Sequence, residues 1–338
     1  MHDNILKTVF IILLFIASSC VKDKRENFIS YNNIDMVTCG NSDENEELYR
    51  LNEIYFTNDQ KLTFRLRIIY FTNGISSLDS TKLIATVKNI NKFFLDNNAR
   101  IDFELISMDF IKGAPETNPK VLPFIQDVER LRNKREPIDG IRNSYQMKHF
   151  RFWNTLFGMD DAINMYVFDD RTNLNIAGQA GGMGANFFAV KSEFCSVIYN
   201  TAAHELSHCL NLLHVQTPDK TNGFTNFTGD GICDTPAIPS LLGMIDENCT
   251  LRDHWRELIS EYEGSNEGND YEILSKVSKE QLYVAAHNIM SYSTPFCRTS
   301  FTEQQIRRMR KSIETSQDLK SCIIGMEKYD INFLQDIN

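Results

Sequence analysis

The alternation of apolar and polar positions predicts a strand, a helix and a second strand in succession. Leu62 to Phe71 reads LTFRLRIIYF, dense in β-branched and aromatic residues, and Asn73-Gly74 closes it with a turn signal. From Leu78 to Leu95 the apolar residues Leu83, Ile84, Val87, Ile90, Phe94 and Leu95 recur at the spacing of one helix face, with Asp79 or Ser80 placed to cap its start. Ile101 to Phe110 returns to a strand pattern. That order implies a right-handed crossover and a mixed or parallel sheet covered by helices. Ala162 to Phe168 reads as a third strand, and the glycine-rich AGQAGGMGANFFAV (Ala177 to Val190) as a loop leading into an edge strand. Its glycines do not make a dinucleotide fingerprint, because no helix start and following acid accompany them. Between residues 112 and 150, charged and interrupted by prolines, only a helix around Val121 to Asn133 is legible.

The start of the chain has a different character. Lys7 precedes an apolar run from Val9 to Ala17, followed by Ser18, Ser19 and Cys20, which is the pattern of a signal peptide over residues 1–19. The run is shorter than the roughly twenty residues that span a bilayer, and no later stretch reaches that length, so no transmembrane helix is expected. Small residues directly before a cysteine resemble a lipobox. Cys20 is therefore a candidate for lipidation, with simple cleavage near Ser19 as the alternative. Residues 20–60 are rich in Asn, Asp and Glu, and Asn41 to Glu47 carries acids and almost nothing apolar, so this segment reads as a solvated leader.

Composition narrows the function. With 338 residues, 42% of them hydrophobic and 24% charged, the chain can bury a core without help from a metal, so a metal site here is functional rather than structural. Its net charge of -10 repels nucleic acid and anionic membrane surfaces. Eight cysteines in an exported chain invite disulfides. If Cys20 carries lipid, an odd number is left, and at least one thiol stays unpaired.

The chemistry is concentrated in YNTAAHELSHCLNLLH, Tyr199 to His214, which contains HExxH. On a helix turning about 100° per residue, His208 falls about 40° from His204 and Glu205 about 100°, while Tyr199, Ala202, Leu206, Cys209 and Leu210 gather about 200° away. The metal-binding face and the core face are then opposed. Two imidazoles one turn apart can hold one ion, with Glu205 beside them to reach its water. His214 comes six residues after His208, so the chain must turn sharply at Asn211 to bring it to the same ion. Asn is the non-glycine residue most tolerant of the left-handed conformation such a turn needs. Three neutral imidazoles leave zinc one position for a water whose pKa falls to about 7, and Glu205 can take its proton in hydrolysis of an amide.

The chain resembles the pappalysin-family metzincins, zinc endopeptidases found among secreted bacterial proteins. The resemblance rests on HELSHCLNLLH, with Asn211 where the family pattern HExxHxxGxxH has glycine, and on three further strings: GDGICDTP (Gly229 to Pro236), HNIMSYS around Met290 and Tyr292, and CRTSFTEQQIRRM (Cys297 to Met309). It implies an α+β metzincin-like zincin: a mixed twisted sheet with a backing helix, an active-site helix above it, and an irregular C-terminal subdomain with a Met-turn and a closing helix. The implied domains are signal peptide 1–19, acidic leader or propeptide 20–60, catalytic subdomains 61–214 and 215–325, and a tail, 326–338. The ligands would be His204, His208 and His214, the general base Glu205, and Met290 the hydrophobic floor. Tyr292 would lend its phenol to the developing oxyanion.

Cys39-Gly40 in the leader resembles a propeptide switch whose thiolate occupies the open zinc position; a disulfide, for instance with Cys322, is the alternative. By the same resemblance Cys249 pairs with Cys297. Asp230 and Asp234 are candidates for calcium, with a capped turn as the alternative reading. Cys209, on the buried helix face, reads as core, and His149, His254 and His287 as structural or surface residues. The acidic, glycine-spotted Leu251 to Gln281 reads as a solvated loop. The expectation is an exported or surface-anchored monomeric zinc endopeptidase, made as a latent precursor, that acts on protein or peptide substrates and binds no nucleic acid. The alternatives are an inactive metzincin-fold binding or adhesion protein and a zinc hydrolase of another substrate. Ser293 to Phe296, which lack acids, give no reason to expect a preference for basic residues and suggest a neutral or apolar one.

Overall fold

A computed structural model of the chain describes residues 60–72, 78–112, 153–169, 177–195, 200–216, 230, 232, 234–236, 238–261 and 270–326. Two compact units are distinguished: Asn58–Asp230 with Asp234–Asn338, and Met1–Thr57 with Gly231–Cys233. Of the second unit only Ile232 is described. The expected signal peptide, Cys20, Cys39 and the helix at 121–133 lie outside the described residues.

The larger unit is built on a five-stranded mixed sheet. Its strands are β1 (Leu62–Thr72), β2 (Ile101–Lys112), β3 (Ile163–Phe168), β4 (Gly178–Ala180) and β5 (Phe187–Lys191), in the order β2-β1-β3-β5-β4. All pairings are parallel except β4 with β5. β1 has a parallel neighbour on each side and is buried without interruption from Ile68 to Phe71, as a parallel strand covered on both faces requires. Helix α1 (Ser80–Asp96) starts at Asp79, whose side chain accepts from the Lys82 N–H, and buries Leu83, Val87, Ile90, Phe93 and Phe94. It packs on β2, with Phe94 edge-on to Phe103. The opposite side of the sheet is filled by Ile69, Phe71, Trp153, Tyr166, Phe168, Phe187 and Ala189.

The expectation of an edge strand after the glycine-rich stretch is corrected. Phe187–Lys191 is interior, between β3 and β4, and the edge strand is Gly178–Ala180, inside the glycine-rich stretch itself. Such glycines read as loop locally, yet antiparallel pairing with β5 recruits three of these residues into the sheet.

The stretch expected as a solvated loop is also different. It contains α3 (Asp253–Ser260), α4 (Asp270–Lys276) and the start of α5 (Lys279–His287), which opens with a capping box between Ser278 and Gln281. Leu251 and Leu274 join a buried cluster with Ile238, Leu241, Met244, Ile245, Ala285, Ala286 and Cys297, against which Trp255 and Ile259 pack. Charged residues on the exposed face dilute the apolar spacing of this segment, which is why it reads as loop.

A second capping box, Thr302 with Gln305, opens α6 (Glu303–Thr315), and α7 (Gln317–Ser321) follows. Beyond it the chain returns to β1: the Arg65 N–H donates to the Cys322 carbonyl at 2.8 Å, and the Ile324 N–H to the Thr63 carbonyl at 2.8 Å.

Candidate active site

HExxH lies on α2 (Thr201–Cys209), which packs on β5 and β4. The helix is more enclosed than an amphipathic wheel implies. His204, Glu205 and Ser207 are buried along with Ala202, Leu206 and Cys209, and His208 is half-buried. The sheet covers one side, and the segment around Met290 reaches the ligand side, where the Ile289 carbonyl bonds the His204 ring.

The backbone sets the state of two of the three imidazoles. His204 Nδ1 lies 2.7 Å from the Ile289 carbonyl and His208 Nδ1 2.7 Å from the Leu212 carbonyl. A carbonyl can only accept, so each Nδ1 carries the proton and each Nε2 presents a lone pair. His214 Nε2 lies 3.1 Å from His204 Nε2 and 3.0 Å from His208 Nε2. Burial holds all three rings below their ordinary pKa, aided at His204 by His208 and His214; His214 is pushed down to about 3 by burial, His208 and Arg298. Neutral lone pairs converging on one point suit a cation. Nitrogens bound to tetrahedral zinc at about 2.0–2.1 Å stand about 3.3 Å apart, so the spacing fits this metal. Among the described residues no second group of metal-ligating side chains converges in this way.

The turn that returns His214 is made at Asn211, whose φ is 76°. The Asn211 N–H donates to the His208 carbonyl at 2.9 Å and the Leu212 N–H to the Ser207 carbonyl at 3.0 Å, so the helix is closed by a left-handed residue as glycine would close it. The following strand-like segment is held to the Met290 loop. The Val215 N–H donates to the Met290 carbonyl at 3.2 Å, and the Tyr292 N–H to Gln216 Oε1 at 3.1 Å. Met290 is fully buried, its N–H accepted by Asn288 Oδ1 at 2.9 Å, and Asn288 Nδ2 donates to Gln305 Oε1 on α6 at 2.8 Å.

Glu205 rests against edge strand β4. A Cβ on Gly178 would stand 2.7 Å from Glu205 Cγ and 2.9 Å from its Oε1, so this position must be glycine for the carboxylate to lie where it does. Burial raises Glu205 to about 8, opposed by the Ala180 N–H, which it accepts, and by Arg298. The Tyr292 ring lies 4.6 Å from the His214 ring, centroid to centroid, and is 42% exposed. Burial and the nearby Glu205 raise its phenol. Gln216 has no motif to announce it, and Gly178, Asn288 and Arg298, though they stand in strings read above, carry no local sign of a role at the site and reach it only through the folded backbone.

Cys249 and Cys297 form a disulfide, Cα to Cα 5.5 Å. Cys195, Cys209 and Cys322 are free and buried. Asp230 Oδ1 accepts from Thr235 at 2.5 Å and Oδ2 from Gln305 Nε2 at 3.3 Å, while Asp234 Oδ2 accepts from the Gln304 N–H at 2.9 Å. These bonds tie Asp230 and Asp234 to α6. His254 is exposed on α3, and His287 is stacked on Tyr283.

Residues 184–314 match the peptidase M43 family model, described as pregnancy-associated plasma protein-A. Comparison with curated proteins gives no match. Among solved structures, a chaperone-substrate complex aligns at 20% identity and TM-score 0.30, over 51% of this chain and 26% of that chain. Metalloproteinase-II from Bacteroides fragilis aligns at 18% identity and TM-score 0.27, over 47% of this chain and 45% of that chain. This chain thus spans less than half the length of each. The family match runs from the glycine-rich stretch before β5 into α6 and takes in all three histidines, Glu205, Met290 and Tyr292. Together with the convergent imidazoles it supports a zinc metallopeptidase, set in a mixed α/β fold consistent with the metzincin type.

Proposed function

We propose that the chain is an exported zinc endopeptidase of pappalysin type, made as a latent precursor. The observation that carries the reading is the convergence of three neutral Nε2 atoms within 4.8 Å of one another, with the buried Glu205 on the same helix. Bound there by His204, His208 and His214, zinc supplies a Lewis acid that polarises a peptide carbonyl and acidifies water. Glu205, held against β4 by the Ala180 N–H, accepts the proton of the attacking water and returns it to the departing amine. Tyr292, partly exposed beside His214, donates its phenolic hydrogen bond to the oxygen on which negative charge develops. The Ile289 and Leu212 carbonyls keep two ligand rings in the required tautomer. Cys39 blocks the site in the precursor as a thiolate until the leader is cut, Cys20 is the lipid-anchoring position, and Asp230 and Asp234 are a secondary site for calcium.

The test compares the purified chain with its Glu205→Ala variant for zinc content, intact mass over time and digestion of casein. Both hold about one zinc, and only the wild type loses its leader and digests casein. Zinc binding by a wild-type chain that cuts nothing, even after trypsin has removed the leader, overturns the proposal in favour of a binding protein.

A further inference from the structure

Arg298 has an unusual setting. Its backbone is clamped: Cys297 is cross-linked to Cys249, the Arg298 N–H donates to the Pro295 carbonyl at 3.3 Å, and the Arg298 carbonyl accepts from Asn200 Nδ2 at 2.8 Å, immediately before α2. Its side chain is turned inward, with Nε buried and without a hydrogen-bond partner. Among the described residues no ion pair or hydrogen bond engages the guanidinium. The residue is half-buried, and its charge acts on Glu205, Tyr292, His204 and His214. Glu205, the acid to which it couples, forms no salt bridge with it and is committed to the Ala180 N–H. The residues just before it, Ser293, Thr294, Pro295 and Phe296, carry no charge.

A guanidinium has five donors in a planar fork and stays charged, so leaving its buried Nε unpaired is costly unless something arrives to occupy the fork. The group whose shape and charge fit that fork is a carboxylate. Among the described residues no acid but Glu205 couples to Arg298, so the arriving group is assigned to the substrate.

We propose that Arg298 is a specificity-determining residue that receives a carboxylate of the peptide substrate next to the bond being cut. This rests on the peptidase reading given above. The carboxylate is an Asp or Glu side chain or a free C-terminus, and the expectation of a neutral or apolar preference is replaced. A purely structural Arg298, or one serving only to keep Glu205 ionised, would affect all substrates alike.

The test uses the zinc-loaded chain, freed of its leader, with peptides that place Glu, Gln, Asp or Asn on either side of the scissile bond, each as free acid and as amide. The wild type is expected to cut carboxylate-bearing peptides with kcat/KM about 10- to 100-fold above their amide isosteres, the range for a desolvated charged hydrogen bond. In Arg298→Met that ratio falls towards one, and Arg298→Lys restores part of it. Amidated peptides containing Glu and neutral peptides with a free terminus separate the two sources of the carboxylate. Equal cleavage of acids and isosteres by the wild type overturns the proposal, even where a variant fails to fold. So does an Arg298→Met variant that slows every peptide equally. Cleavage of no peptide at all overturns the peptidase reading with it, whereas indifferent cleavage overturns only the role of Arg298.

Discussion

Gly178→Ala tests whether edge strand β4 sets the position of the base. The added methyl would stand 2.7 Å from Glu205 Cγ, 2.9 Å from its Oε1 and 2.9 Å from the Ala189 carbonyl oxygen. The last is backbone of an interior strand, so β4 must shift against β5 as well as Glu205 against β4. Ordinary contact begins at 3.4 Å, which leaves a deficit of roughly 0.7 Å to be met by moving the carboxylate or the helix. A misplacement of about 1 Å costs on the order of 100-fold in rate, so kcat/KM is expected to fall about 10- to 100-fold. Overpacking should lower stability by about 1–3 kcal/mol. His204 and His208 are oriented by the Ile289 and Leu212 carbonyls and not by β4, so zinc content should stay at wild-type level. The assay is steady-state cleavage of a fluorogenic peptide, with zinc measured by elemental analysis and unfolding by denaturant. A folded, zinc-loaded Gly178→Ala variant with wild-type kcat/KM would refute the assignment of Glu205 against β4.

Asn211→Gly should keep zinc, while Asn211→Val, which forces a β-branched residue to a φ of 76°, should cost about 1–2 kcal/mol and weaken zinc in competition with a chelator. Replacing Cys249 and Cys297 by Ser removes a cross-link spanning 48 residues and should lower stability by about 4 kcal/mol, read as a lower denaturant midpoint. The metal-free chain should lose stability as pH falls below about 6.5. The folded-state pKa values of His204, His208 and His214 are depressed, so below that pH the unfolded chain binds more protons than the folded one; denaturant melts at pH 8, 6 and 5 check the sign. A flat profile would mean that the rings are solvated when the metal is removed.

Much of the site is legible because its chemistry is local. HExxH places two ligands and the base on one helical turn whatever surrounds it, and Asn211 is readable as a turn because few residues accept a left-handed backbone. β1, α1, β2 and β3 are equally local, since hydrophobic period alone distinguishes strand from helix, and the structure shifts their ends by only a residue or two. The Cys249–Cys297 pairing came from family resemblance, and no local pattern contains it.

What the sequence by itself determined is therefore the set of groups: three imidazoles, a carboxylate, a phenol and the turn that returns the third ligand. Tertiary structure decided which of them are neutral, oriented and close. The Ile289 carbonyl that sets the His204 tautomer is 85 residues away in sequence, and Gly178, which admits Glu205, is in a strand that exists only because β5 pairs with it. Arg298 carries no local sign of a role at the site. Only the fold shows its Nε buried without a partner and its charge coupled to the base, because burial and long-range charge depend on distances that no local window of sequence contains.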